Sequence, residues 1–228
     1  MDGLLINTED IYTIVTNELL SEFNKGPLSW DVKINLQGRT SEIAAGLVIK
    51  AYDLPYTPQE WIAKNIAKQK QYWSTCSFLP GAEELLRYLH DNKIPFALAT
   101  SSSTINYERK TGHLRHIFDL FGEHIVTGDD PRVQKGRGKP YPDIYLAALK
   151  SLNDQLPAGQ PIIQQDEVLV FEDGLPGVES GKAAGAYVIW VPHPEALKLL
   201  NGKENDHIGE SGIVLNSLIE FDPKSFGL

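Results

Sequence analysis

The chain has 228 residues with hydrophobic and charged fractions of 42% and 22%, enough for a sizeable core in one α/β domain plus a small inserted module. A formal net charge of −9 excludes broad nucleic-acid or anionic-membrane binding, both of which need a basic surface. The single cysteine, Cys76, excludes an internal disulfide, and neither a leader pattern nor an apolar run of about 18 residues is visible, so the expectation is a cytoplasmic protein with no membrane partner.

From Thr8 to Trp73 the pattern is helical. Thr8-Glu9-Asp10 offers a cap, and apolar residues recur at helix spacing through Ile11, Ile14, Val15, Leu19, Leu20 and Phe23. Further helices are predicted over residues 41–52 and 57–72. Pro80-Gly81 marks a change of texture, after which helices and short apolar strands alternate. The pattern predicts a helix over 83–90, a strand over 94–99, a helix or loop over 113–120 and a strand over 124–127. A helix over 142–152 with Pro142 in its first turn, a strand over 168–171, a helix over 176–184 stopped by Gly185 and a strand over 187–191 follow. Alternation of this kind specifies an α/β fold: a doubly wound parallel sheet, Rossmann-like, with helices on both faces and its strand-end loops along one edge.

Residues with chemistry to offer collect at those strand ends. Asp2-Gly3 stands in the opening run Met1-Asp2-Gly3-Leu4-Leu5-Ile6-Asn7-Thr8-Glu9, and Thr100-Ser101-Ser102 follows the apolar Ala97-Leu98-Ala99. Lys139 begins Lys139-Pro140-Tyr141-Pro142-Asp143, where Pro140 confines its backbone to extended conformations. Glu172-Asp173-Gly174 leaves the strand that ends at Phe171. Singly, each has a plainer reading: a frayed terminus, a turn hydroxyl, a solvated amine, an acidic helix start. Their order, residue type and strand context together point to one site.

These four segments resemble motifs one to four of the haloacid dehalogenase superfamily of phosphatases, a likeness that runs to about Pro192. Residues 2–9, residues 171–178 and Val191-Pro192-His193-Pro194-Glu195 are more narrowly similar to its pseudouridine-5'-phosphatase-like branch and the fungal relatives there. The resemblance implies a helical cap, residues 9–78, inserted into an α/β core made of residues 1–8 and 79–228. It also implies Mg²⁺-dependent hydrolysis of a small phosphorylated metabolite through an aspartyl-phosphate. A nucleoside or sugar 5'-phosphate, pseudouridine 5'-phosphate among them, is the expected substrate. Asp2 then matches the general acid/base, its backbone carbonyl facing the metal; Asp173, and next Glu172, match the metal carboxylates. Thr100, with Ser101 and nearby backbone N–H groups, matches the contact to the transferring phosphoryl oxygens, and Lys139 the charge between nucleophile and phosphate. Gly38-Arg39-Thr40 falls where a substrate-specificity loop lies, so Arg39 either grips a distal substrate group or is an exposed turn residue. A phosphosugar mutase and a catalytically inactive metabolite-binding paralogue are the rival readings, and the oligomeric state is not legible.

In the resembling family the nucleophilic Asp stands two positions before Asp2, which falls outside the sequence. The expectation is a chain truncated at its N-terminus, lacking the first central strand and inactive as written. Asn7 also departs from the family's common Asp; it keeps an acceptor, adds donors and removes charge. Lys135-Gly136-Arg137-Gly138-Lys139 lacks the spacing of a phosphate-binding loop and reads as a flexible loop carrying Lys139 inward, and Cys76 lacks metal-type spacing and is given no role. His193 either borders the site or is structural, and Trp61, Tyr72 and Trp73 read as cap core.

Overall fold

In a computed structural model of the protein, residues 1–36 and 39–228 are described. The first part of the chain is a helical layer: α1 (Thr8–Ser21), the short α2 (Trp30–Lys33), α3 (Ser41–Tyr52) and α4 (Pro58–Gln69). Helix α1 buries Ile11, Val15, Leu19 and Leu20 and is packed by α4, while Ala45 and Val48 of α3 and Trp61 of α4 fill the same core. The start of α1 corrects the cap expected at Thr8. Asn7 is the capping residue, its side chain accepting from the Asp10 backbone N–H at 3.4 Å and donating to the Asp10 carboxylate at 2.7 Å. An Asn at this position therefore serves the helix terminus. Helix α4 starts in a full capping box, Thr57 and Glu60 satisfying each other's backbone N–H groups.

The helical layer leaves and rejoins the rest of the molecule at one place. Asn7 donates its backbone N–H to Ser77 O at 2.9 Å and Leu79 donates to Leu5 O at 2.9 Å, so the outgoing and returning segments are stitched together. After that junction come α5 (Ala82–Asp91), β1 (Leu98–Ala99), α6 (Thr104–Thr111), α7 (Arg115–Phe118), β2 (Ile125–Val126) and α8 (Asp143–Asn153). They are followed by β3 (Leu169–Glu172), α9 (Leu175–Ala183), β4 (Tyr187–Trp190), α10 (Pro194–Leu200), α11 (Glu204–Ile208) and β5 (Gly212–Val214).

All strand pairs are parallel, in two pieces. β1 pairs with β2, in the register Leu98 with Ile125 and Ala99 with Val126. β3, β4 and β5 form a second sheet in that order, with Val170 opposite Val188 and Val188 opposite Gly212. Both faces of the second sheet are covered. Val170, Val188 and Trp190 pack with Val178 of α9 and Ile208 of α11, while Ile189 looks into the larger core that also holds Leu86, Leu98 and Phe118. Burial on both faces is why β4 reads as a continuous apolar run and not an alternating one.

The predicted elements differ from the observed ones mainly in length and number. The strand expected over 94–99 is paired only at Leu98–Ala99, because its one partner, β2, is itself two residues long. Helices α2, α6 and α11 and strand β5 carry too few periodic apolar positions to be visible in sequence, and α10 is a further helix beyond those predicted. Among the described residues no helix is long and apolar enough to cross a membrane.

Candidate active site

Lys139 joins the two sheet pieces at their carboxyl ends. Its ammonium donates to Ala99 O, at the end of β1, at 3.3 Å and to Glu172 Oε1, at the end of β3, at 2.5 Å. Both side chains are almost fully buried. The Tyr145 hydroxyl donates to the same carboxylate, and its ring lies 5.0 Å from the Lys139 ammonium. Glu172 is crowded from below by α9, where a Cβ on Gly177 would overlap its carboxylate. Burial pushes the Glu172 carboxyl up, but Lys139 and the Met1 amino group outweigh it and hold the group low and ionised.

Asp173 faces the opposite electrostatics. Its backbone O accepts from the Trp190 indole at 3.0 Å, which fixes the loop. Gly3, at φ +67°, lies so close that a Cβ there would overlap the Asp173 carboxylate, and this close approach with a left-handed turn is why only glycine fits position 3. Burial, then Glu172 and Glu9, push the Asp173 carboxyl well above the usual range. A buried acid beside two others, short of positive charge, is the chemistry of a hard divalent cation site. Of the expected side-chain ligands, Asp173 is the one whose carboxyl is buried and short of a cation. Glu172 is engaged by Lys139, by Tyr145 and, through Oε2, by the Asp173 backbone N–H at 3.2 Å. Among the described residues no group of three or more His, Cys, Asp or Glu side chains is arranged to hold a metal.

Asp2 is held at both oxygens. Lys110 donates to Oδ1 at 2.6 Å and Ser102 Oγ donates to Oδ2 at 2.9 Å. Burial alone would raise this carboxyl; the Lys110 ammonium and then the Met1 amino group overcome it and bring it to about 2. Thr100, 3% exposed, sits beside this cluster, its hydroxyl accepting from the Ser102 backbone N–H at 3.2 Å. The Met1 amino nitrogen is itself buried, pushed down by that burial and by Lys139, with Asp2, Glu172 and Asp173 acting against the shift. Asp2, Thr100, Lys139, Glu172 and Asp173 are thus linked through direct or neighbouring contacts into one cluster.

Other expected positions lie elsewhere. Ser101 is exposed with its carbonyl packed against Gly128, and it is Ser102 that reaches Asp2. Arg39 is exposed, and Gly38 lies outside the described residues. His193 caps α10 and stacks on Trp30 with ring centroids 4.4 Å apart, which joins the helical layer to the loop after β4. Burial pushes the Cys76 thiol up to about 11, so it is inert. Ser102 belongs to the strand-end hydroxyl run read in sequence, where Ser101 is given the role, whereas nothing in the sequence marks Lys110 or Tyr12. Lys110 lies in the last turn of a polar helix, where a lysine ordinarily complements the helix dipole in water.

The sequence profile of haloacid dehalogenase-like hydrolases matches residues 1–185. A probable pseudouridine-5'-phosphatase of Saccharomyces cerevisiae is 54% identical over 228 residues, covering 100% of this chain and 94% of the yeast protein. The (DL)-glycerol-3-phosphatase 2 of Arabidopsis thaliana is 34% identical over 230 residues, covering 100% and 89% respectively. Among solved structures, a HAD family hydrolase of Deinococcus radiodurans with bound phosphate and sodium matches with a TM-score of 0.70 at 25% identity, over 96% of this chain and 90% of that one. A profile match over most of the chain, with relatives aligned along its whole length, makes this protein a member of the haloacid dehalogenase-like hydrolase family.

Proposed function

We propose that the site hydrolyses the phosphate monoester of a small metabolite, a nucleoside or sugar 5'-phosphate, with pseudouridine 5'-phosphate the first candidate. The observation that carries this reading is the buried Lys139 ammonium, which bridges Ala99 O and Glu172 at the carboxyl ends of β1 and β3, with Asp173 next to Glu172 and packed against Gly3. The nucleophile in this reading is an Asp two positions before Asp2, as in the resembling family. Similarity to a probable pseudouridine-5'-phosphatase and to a (DL)-glycerol-3-phosphatase supports the substrate class.

In this reading the residues present share the reaction with a nucleophilic Asp two positions before Asp2. The nucleophilic carboxylate forms an O–P bond as the P–O bond to the alkoxide breaks, and Asp2 gives its proton to that alkoxide. Water then attacks phosphorus, the aspartyl O–P bond breaks, and Asp2 takes the proton back from the water. Thr100 and the strand-end N–H groups face the phosphoryl oxygens, and Lys139 offsets their negative charge. Asp173 and the Asp2 carbonyl would hold Mg²⁺, which when bound would supply Lewis-acid stabilisation to the phosphoryl group. The helical layer over the cluster excludes bulk water and selects a small leaving group.

The test compares the 228-residue chain with the same chain preceded by an apolar strand ending in Phe-Asp. Phosphate release is measured with nucleoside 5'-phosphates, sugar phosphates and glycerol 3-phosphate, with and without chelator. The extended form is expected to turn over only with Mg²⁺, and the shorter form to match its own Lys139→Ala control. Turnover of the shorter form above that control would remove the nucleophile assignment. Isomerised sugar phosphate in place of released phosphate would mark a mutase, and tight phosphate binding without turnover in the extended form a binding protein.

A further inference from the structure

Arg87, Arg115, Arg132 and Arg137 are each held by a carboxylate, that of Glu83, Glu108, Asp130 and Asp143 in turn. Arg109 is different. Among the described residues neither Arg109 nor Lys70 has an ion-pair partner, although nearby Lys68 reaches Glu18 at 3.2 Å. Both line a cavity of about 350 Å³ together with Trp73, Ser74 and His113, and among the described residues no acidic side chain faces it. The volume falls within the range of small-molecule pockets, about 300–1,000 Å³. A basic hollow is an exception on a chain of net charge −9, whose overall field repels anions.

Two of its walls are fixed from behind. Trp73 is buried, with its ring edge-on to Tyr12 at 5.6 Å and 5.3 Å from the Lys110 ammonium. His113 joins Cys76 O through Nε2 at 2.7 Å. A carbonyl only accepts, so Nε2 carries a proton and Nδ1 is the ring nitrogen left for a ligand. Lys70, Ser74 and Arg109 are exposed and free to turn toward one. Lys70, Trp73 and Ser74 belong to the segment returning from the helical layer, whereas Arg109 lies in α6 and His113 in the turn after it.

We propose that this cavity is a second anion site, separate from the strand-end cluster, and that it takes a phosphate group. A guanidinium fork matches two phosphate oxygens, and the Lys70 ammonium beside it favours a dianion over a single carboxylate. The Ser74 hydroxyl and the His113 ring add neutral contacts of the kind that orient such a group. Orthophosphate and the phosphate of an organic ester share this chemistry. The site stands whether or not the strand-end cluster hydrolyses phosphate. Because its residues come from both sides of the seam, a bound anion ties the returning segment to α6 and stabilises the folded chain.

The test titrates the 228-residue chain with orthophosphate and with glycerol 3-phosphate, followed by NMR. Saturable shifts are expected at the Trp73 indole and at the Arg109 and His113 amides below about 10 mM ligand. Arg109→Gln is expected to weaken this binding by about tenfold or more and Lys70→Gln by a smaller factor, since each loses a charge-assisted contact. Both side chains are exposed, so the variants should keep the parent spectrum elsewhere. Arg87→Gln removes the same charge at a distant surface and is expected to leave the binding unchanged. Orthophosphate is also expected to raise the melting temperature of the parent more than that of Arg109→Gln. Tighter binding of orthophosphate would support the free anion as the ligand, and tighter binding of glycerol 3-phosphate an ester. Shifts confined to the Thr100 and Gly174 amides would place phosphate at the strand ends alone and overturn the proposal. Shifts that never saturate, or that weaken equally in Arg87→Gln, would reduce the cavity to diffuse screening and overturn it too.

Discussion

Lys139 and Lys110 are both buried, and each is stabilised by one carboxylate whose loss would leave it uncompensated. The Lys139–Glu172 pair is the drier of the two, at 7% and 8% side-chain exposure. Breaking such a pair by removing one partner typically costs about 3–5 kcal/mol, whereas replacing both charges is much milder. Lys139→Met is therefore expected to destabilise the chain strongly, with Glu172→Gln added to it recovering a large part, as read by urea unfolding. Equal stability of the single and double variants would show that Glu172 is not the partner that matters. The Asp2–Lys110 pair adds a pH signature. Its carboxyl lies at about 2 in the folded chain against 3.8 ordinarily. The group therefore contributes stability above the unfolded value, on the order of 2 kcal/mol, and that contribution fades as pH falls through the folded value. Asp2→Asn has nothing to titrate there, so between about pH 5 and about pH 2 it is expected to lose less stability than the parent chain, by acid unfolding followed with circular dichroism. Identical acid limbs would mean that Asp2 is not held as described.

Among the elements, α9 shows how a helix can serve a side chain it does not carry. Its first turn runs directly under Glu172, and Gly177 is the residue that lets it do so. Gly177→Ala, normally a favourable exchange in a helix, is expected to destabilise by about 1–3 kcal/mol, because the added methyl must displace the carboxylate that orients Lys139. In the extended form the same variant is expected to lower kcat at least tenfold. Unchanged stability and rate would show that Glu172 has room to move. The contrast with α6 explains what was readable in advance. Residues 41–52 carry helix-spaced apolar positions and α3 has those bounds, and the strand-to-helix alternation after Pro80 gave the parallel sheet. Lys139 and Asp173 stood out because proline neighbours and a strand exit give them a local context. Helix α6, Thr-Ile-Asn-Tyr-Glu-Arg-Lys-Thr, has almost no apolar period, so its existence and the burial of Lys110 depend on contacts with Trp73 and Tyr12 far away in sequence. Local pattern can report a residue's element, but a lysine's burial is decided by what the rest of the chain folds over it.

At the scale of the molecule, the division of the sheet is the feature with the largest consequence. Leu98 and Thr100 donate their N–H groups to the β2 side, at His124 O and Val126 O, so Ala97 and Ala99 present theirs to the opposite edge. On the other piece, Val168 O and Glu172 O accept from Tyr187 and Val191, so Leu169 and Phe171 present theirs away from β4. Among the described residues neither of these edges is paired by a strand, and Lys139 is what links them at their carboxyl ends. A parallel strand laid between them, running into Met1, would pair both edges and place its last residue at the Met1 nitrogen. The amides of Ala97, Ala99, Leu169 and Phe171 are therefore expected to exchange rapidly with deuterium in the 228-residue chain and to become protected when an apolar strand ending in Phe-Asp precedes it. The amides of Leu98 and Thr100, already bonded to β2, serve as the internal reference and should change much less. A rise in melting temperature should accompany the protection, since two unpaired edges and the apolar side chains beneath them leave water together. Protection confined to one edge would place the added strand on that sheet piece alone, and no change at either edge would mean that the two pieces are not the flanks of a single sheet.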